Sequence, residues 1–298
     1  MKRTLVGHLR GALAVVSYSL NTLFWCCPLF ALAAAKFALP VQAWRRACDR
    51  MLNSVVVGWV FINDLNQRFV SRIRCEVSGL EDVRPDQWYL VLSNHQSWAD
   101  ILVLQRVFFR KIPHLKFFIK NELKWLPVLG WAWMALEFPF MKRYSQEKLA
   151  RKPELRGKDL DITQRTCAKL RSVPSAMMNF AEGTRFSLGK RDFQGSPHAN
   201  LLRPKAGGAS LVLGALGDQL HRVLDVTIAY PHQSGSFWDY LCGKMREIRV
   251  VVEPIAVGPE LVGDYAGDPE YRLRFQQWLN GLWEDKDRKL SRFMGSKD

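Results

Sequence analysis

The sequence predicts an α/β fold: a single domain with a mixed, largely parallel sheet flanked by helices, preceded by an N-terminal membrane-associated helical segment. Three observations predict it. An uncharged apolar run extends from Gly11 to Ala35, near the N-terminus. From about Ile73 the texture changes, and short β-rich runs alternate with stretches of helical spacing. No internal repeat or Gly/Ser linker interrupts the chain beyond that point. Alternating strands and helices bury their apolar faces best as a sheet covered by helices. An anchoring segment is therefore expected over 1–70 and a catalytic domain, ending in a helix, over 71–298.

The N-terminal "MKRTLVGHLR" is basic and leads into "GALAVVSYSLNTLFWCCPLFALAAA". A spanning helix needs about 20 apolar residues, so the run is long enough. A basic start and "ALAAA" imitate a signal peptide, but the run exceeds the roughly 7–15 apolar residues of a signal. A retained anchor is expected. Asn21 and Pro28 work against a simple straight span and leave a re-entrant or interfacial hairpin open. Lys2, Arg3 and Arg10 precede the run; Lys36, Arg45, Arg46 and Arg50 come after it. That pattern is compatible with both ends on the cytoplasmic side. The expected location is the membrane, with the catalytic domain on its cytoplasmic side. A second apolar patch, "VVVGWVFI" (Val55–Ile62), is too short to span and is expected in a helix lying on the membrane or on the domain.

Beyond Ile73 the pattern gives strands at "IRCEV" and "WYLVLS", a helix over Trp98–Phe108, and a strand at "LKFFI". An apolar helix around Pro127–Met134 and a strand near "LEFPFM" come next. The charged stretch Tyr144–Asp161 reads as a solvated loop. A helix over Ile162–Arg171 leads to the strand "AMMNFA", then a helix over Ala206–Leu216. The strands "VLDVTIAY" and "IRVVVEPI" precede a long helix over Asp268–Phe293.

Composition narrows the function. The 298 residues are 48% hydrophobic and 24% charged, which excludes a disordered chain. A net charge of +15 favours a polyanionic partner: nucleic acid, an anionic membrane face or a phosphorylated substrate. The 11 Trp and 17 Phe beside so many basic residues suit a membrane interface. No nucleic-acid module is recognisable, so no nucleic-acid partner is expected. Six cysteines lie at 26, 27, 48, 75, 167 and 242 without a Cys-x-x-Cys, so neither a zinc site nor a disulfide framework is expected.

The stretch "LVLSNHQSWADILVL" places His95 and Asp100 between two apolar runs. Five residues advance about 500° on a helix, and an odd spacing puts side chains on opposite faces of a strand. The pair can meet only where a strand hands over to a helix, and the flanking runs supply that junction. An aspartate on one imidazole nitrogen leaves the other as a base. The plainer alternative is a capping box of Ser97 and Asp100, with His95 an ordinary loop residue. No nucleophile motif accompanies the pair, so it would activate water or a substrate hydroxyl directly.

Three further stretches can supply binding groups. In "NFAEGTRF" a strand ends at Ala181, then Glu182, Gly183, Thr184 and Arg185 form a turn. Arg185 offers a fork suited to phosphate; the alternative is a surface Glu–Arg turn. "FPFMKR" delivers Lys142 and Arg143, and Lys205 precedes a helix start where anions are favoured. Each of these could equally be a solvated basic edge.

The order of "NHQSWAD", "EFPFMKR", "NFAEGTRF" and "VTIAYP" resembles the glycerolipid acyltransferase family, to which the 1-acylglycerol-3-phosphate acyltransferases belong. The resemblance covers roughly Arg72–Val257. "WLNGLWEDKDRKL" (Trp278–Leu290) is similar to the tail of its lysophospholipid and lysocardiolipin acyltransferase-like branch. The resemblance implies an acyl thioester donor, acyl-CoA or acyl-acyl carrier protein, and a lysophospholipid acceptor, with lysophosphatidate first. It implies His95 as base, Asp100 as its orienting partner, Glu182, Gly183 and Arg185 as the acceptor-binding motif with Arg185 on the phosphate, and Arg143 at the basic end of the second block; Thr184, Lys142 and Lys205 are expected beside them as substrate-binding residues. A thioester is already activated, so neither a cofactor nor a metal is implied. The second block departs from the family: Phe140-Met141-Lys142-Arg143 lacks its usual acid, which bears on the acceptor head group. Lysophosphatidylglycerol or lysocardiolipin types stay open as acceptors. So do hydrolysis and, outside enzymology, a basic lipid- or nucleic-acid-binding protein.

Overall fold

The computed structural model describes residues 2–141, 171, 173–231, 235–265 and 267–295. Lys142, Arg143, the charged stretch Tyr144–Asp161 and, apart from Arg171, the helix expected over Ile162–Arg171 lie outside the described residues.

The N-terminal segment is a helical hairpin. Helix α1 (Lys2–Ala38) carries Pro28 inside it, and α2 (Gln42–Leu65) returns along it. Asn21 does not break α1; its amide donates to Asn63 Oδ1 at 2.8 Å and to the Trp59 carbonyl at 3.0 Å. Near the turn, Trp44 Nε1 donates to the Ala35 carbonyl and Lys36 pairs with Asp49. A Cβ at Gly58 would fall 2.3 Å from the Trp25 ring, so only glycine lets that indole lie on α2. The patch Val55–Ile62 sits in the middle of α2, with Val55, Val56 and Val60 buried. Among the described residues, one helix (Leu5–Ala38) is long and apolar enough by length and composition to cross a membrane.

The domain carries β1 (Arg74–Ser78), β2 (Trp88–Ser93), α3 (Ala99–Val107), β3 (Leu115–Phe117), β4 (Ile119–Lys120), α4 (Leu129–Ala135) and β5 (Phe140–Met141). Then come β6 (Ala176–Phe180), α5 (Leu188–Gln194), α6 (Gly207–Leu216), β7 (Leu220–Ala229), α7 (Phe237–Leu241), β8 (Glu247–Ala256) and α8 (Pro269–Gly295). Six strands form one sheet in the order β1-β8-β7-β2-β6-β3. Among the described residues only the β7–β8 pairing is antiparallel, so the sheet is mixed and largely parallel.

Both faces of the sheet are covered, and β2 shows why a continuous apolar run is needed. Tyr89 and Val91 point to α3, where Ala99, Val103 and Leu104 pack. Leu90 and Leu92 point the other way, to Val212 and Leu213 of α6 and to α8. The inner stripe of α8 is Tyr271, Phe275, Leu279, Trp283 and Leu290, a helical spacing that faces the sheet. Lys286 lies on the same stripe and is fully buried.

Two short helices, α5 and α7, stand where no element was expected, and three expected elements differ in extent. "LKFFI" is not one strand: Leu115–Phe117 adds to the sheet edge through β6, whereas Ile119–Lys120 turns away to pair with β5. Of "LEFPFM", only Phe140–Met141 is paired strand. The helix expected from Pro127 begins at Leu129, because Val128 has φ 65, outside the helical region.

Candidate active site

The site arises from three parallel neighbours. Strand β2 lies between β6 and β7, with Ser93 opposite Phe180 on one side and Val226 on the other. The chain segments leaving these strands therefore emerge at the same sheet end, where ligand sites of open α/β sheets form. They carry His95, the Glu182–Arg185 turn and Tyr230. Asn94 locks the exit of β2 onto β7, donating to the Ile228 carbonyl at 2.9 Å and accepting the Ile228 N–H at 2.8 Å.

His95 and Asp100 meet across the strand-to-helix junction, with Nδ1 2.9 Å from Asp100 Oδ2. A carboxylate can only accept, so the shared proton sits on Nδ1 and Nε2 is left as an acceptor. Asp100 is fully buried, and its Oδ2 also accepts the N–H groups of Gln96 (2.7 Å) and Ser97 (2.9 Å). Its Oδ1 accepts the Tyr230 hydroxyl at 2.5 Å. Burial, and then the neighbouring Asp100 charge, hold the Tyr230 phenol well above its usual range, so it stays a donor. Half of the capping box forms: the Asp100 carboxylate reaches back to Ser97 N–H, but Ser97 Oγ takes the Ala99 N–H instead. Asp100 thus anchors the start of α3 and orients the histidine at once. Phe180 stacks on the imidazole at 4.0 Å and 16°, fixing the ring plane.

Glu182 opens the turn that follows β6. It is fully buried, with Oε1 accepting the His95 N–H and Oε2 the Leu202 N–H, both at 2.8 Å. Through these two bonds it braces the His95 loop against the loop that holds Leu202. Phe186 N–H adds a bond to the His95 carbonyl at 2.7 Å. Burial pushes the Glu182 carboxyl up to about 7, against the opposing pull of its two amide donors. Its folded-state value lies above the ordinary 4.5. Its contribution to stability is therefore complete at acid pH and is lost as pH rises through about 7. Glu182→Gln, which cannot ionise, should give a flatter stability profile between pH 4.5 and 7 than the wild type, read by urea unfolding. Parallel profiles would refute this.

Gly183 has φ +70, and a Cβ there would meet the Lys205 side chain at 3.4 Å. The positive φ is what calls for glycine in this turn, and the Lys205 side chain lies over it in ordinary contact. Arg185 stacks on Trp98, its guanidinium carbon 4.3 Å from the ring centre. Thr184 Oγ1 accepts from Lys190, which also bonds the Arg185 carbonyl.

His95, Gly183, Thr184, Arg185 and Lys205 line one cavity of about 1600 Å³. Its other walls are mostly apolar and come from α1, α2, α3 and α4, with Leu129, Ala132 and Trp133 among them. A base, the cations Arg185 and Lys205 and an apolar wall share one partly open cavity. Pattern reasoning missed Tyr230, Phe180 and Trp98 as parts of this arrangement. Tyr230 lies within the block "VTIAYP", but nothing local says that its hydroxyl meets Asp100.

Residues 74–231 match the family model described as Acyltransferase. The chain is 23% identical to 1-acyl-sn-glycerol-3-phosphate acyltransferase epsilon of Mus musculus, across 70% of this chain and 59% of that protein. It is 25% identical to lysocardiolipin acyltransferase 1 of Danio rerio, across 80% of this chain and 61% of that one. The chain spans about six-tenths of the length of these relatives. In fold it is similar to the crystal structure of the 1-acyl-sn-glycerophosphate (LPA) acyltransferase, PlsC, from Thermotoga maritima, with TM-score 0.52 and 16% identity. That similarity covers 95% of this chain and 98% of the other.

Proposed function

The chain belongs to the acyltransferase family, and from that premise we propose that it moves a fatty acyl group from an acyl thioester to the free sn-2 hydroxyl of 1-acylglycerol-3-phosphate, giving phosphatidic acid. The observation that carries this reading is the single cavity joining His95, the cations Arg185 and Lys205, and a long apolar wall. Nε2 of His95 takes the hydroxyl proton as the oxygen attacks the thioester carbonyl. The C–O bond forms, the C–S bond breaks, and the imidazolium returns its proton to the leaving sulfur. Asp100 stabilises that imidazolium and holds its tautomer. The ring is kept in plane by Phe180. Arg185 and Lys205 hold the acceptor phosphate through charge-assisted bonds. The apolar wall takes the acyl chain, and acyl-CoA or acyl-acyl carrier protein delivers it. The α1–α2 hairpin keeps the domain at a membrane, on its cytoplasmic side.

A second acceptor class, lysophosphatidylglycerol or lysocardiolipin type, is favoured by the missing acid in Phe140-Met141-Lys142-Arg143 and by the similarity to the Danio rerio protein. A panel of lysophospholipids with one fixed acyl-CoA separates the readings. Fastest thiol release with lysophosphatidate supports the first, and a clear preference for another head group supports the second. Free fatty acid without a diacyl product would make the protein a hydrolase. No turnover on any acceptor would leave a lipid-binding protein.

A further inference from the structure

We propose that the C-terminal helix is part of the catalytic apparatus, with Asp287 as a positioning residue that sets the His95 loop and the Glu182 turn against each other. The matched family region ends at residue 231, well before this helix. Asp287 accepts two backbone bonds from one loop: Ala199 N–H at 2.9 Å and Asn200 N–H at 2.8 Å. Ser291, one turn on, accepts from the Asn200 amide at 2.8 Å.

From that loop two separate ties reach the histidine. The Asn200 carbonyl accepts from Gln96 Nε2 at 3.0 Å, next to His95 in the chain. Leu202 N–H donates to Glu182, whose other oxygen accepts the His95 N–H. The helix itself is held by other means. Its apolar stripe is buried, and Lys286 is bonded to Asp225 and to the Val226 carbonyl on β7. Loss of the Asp287 carboxylate should therefore free the 199–202 loop while leaving α8 in place.

This inference rests on the transfer reaction proposed above, so its test carries one readout that does not need turnover. In full-length Asp287→Ala, amide exchange should quicken about tenfold or more at Asn200, Leu202 and His95 and stay unchanged in β1 and α2. Turnover number should fall about tenfold with the KM for the acyl thioester unchanged, because misplacement of the base affects the step and not donor binding. Asp287→Asn, which keeps one acceptor oxygen, should fall between the two. Unchanged exchange at Leu202 and His95 overturns the proposal, as does an unchanged turnover number in a protein whose loop exchanges fast. Should Asp287→Ala not fold, Ser291→Ala loosens the same loop and must quicken exchange at Asn200, or the proposal fails. A wild type without transfer activity defeats the proposed function, and the exchange result then decides the role of Asp287 alone.

Discussion

A folded His95→Ala protein should release thiol from an acyl thioester and lysophosphatidate about 10²–10⁴-fold more slowly than the wild type. The size comes from what the ring does. With Nδ1 tied to Asp100, Nε2 is the nitrogen able to take the acceptor proton. The other histidine lining the cavity, His114, is pushed down to about 3 by burial and is too weak a base to replace it. The fold should survive. The strand and helix on either side are set by Tyr89–Leu92 and by Ala99, Val103 and Leu104, all fully or nearly fully buried. Asp100 would keep its bonds to Gln96, Ser97 and Tyr230. Residual rate should come from positioning of the two substrates. Circular dichroism and melting, measured beside a thiol-release assay, check both halves. Near wild-type turnover in a folded variant would end the general-base mechanism.

The largest effect on stability should come from Lys286→Met. Lys286 is completely buried on the sheet-facing stripe of α8, with its ammonium 2.8 Å from Asp225 and 2.6 Å from the Val226 carbonyl. Burial pushes the ammonium down, and the adjacent Asp225 carboxylate only partly offsets it. Removing the lysine alone leaves Asp225 buried and charged, at a cost of about 3–5 kcal/mol. That is a large share of the roughly 5–15 kcal/mol that holds a domain folded. Removing both partners, as Lys286→Met with Asp225→Leu, should recover most of the loss, since an apolar pair of similar volume is often neutral. Urea unfolding of the two variants measures the difference. Equal losses in the single and the double variant would show that packing of the lysine stem, not its charge, is what matters.

Much of the architecture was legible because it rests on local pattern. The odd spacing of His95 and Asp100 forces a strand-to-helix junction, and the apolar runs on both sides fix where it falls. The buried strand "WYLVLS" and the long C-terminal helix are read from their spacing. Non-local facts were not legible. Glu182 reads as a turn acid that could meet a ligand, and only the parallel register of β2 and β6 brings it under the His95 backbone. The break after Phe117 depends on which strand lies beside each residue, which a single run of apolar residues does not encode. Asp287 acts on a loop 88 residues earlier, and no local pattern reports such a contact. Lys286 falls in register with Leu279, Trp283 and Leu290, but only the fold shows that it is buried against Asp225 on β7.

The paired amides of Asn21 and Asn63 have a mechanical consequence. Apolar helices in an apolar medium can slide on one another at little cost, because one leucine contact replaces another. A slip of one helical turn, about 5.4 Å, would part those amides inside the hairpin. The clasp therefore makes α1 and α2 a strut of constant length. Asn66 joins the foot of that strut to the Ala14 carbonyl, and Gln67 joins it to the Leu102 carbonyl on α3, the helix that carries Asp100. The height of His95 above the turn between α1 and α2 is thereby fixed by the length of two helices, so a change of one turn in either helix would move the active site by that same step.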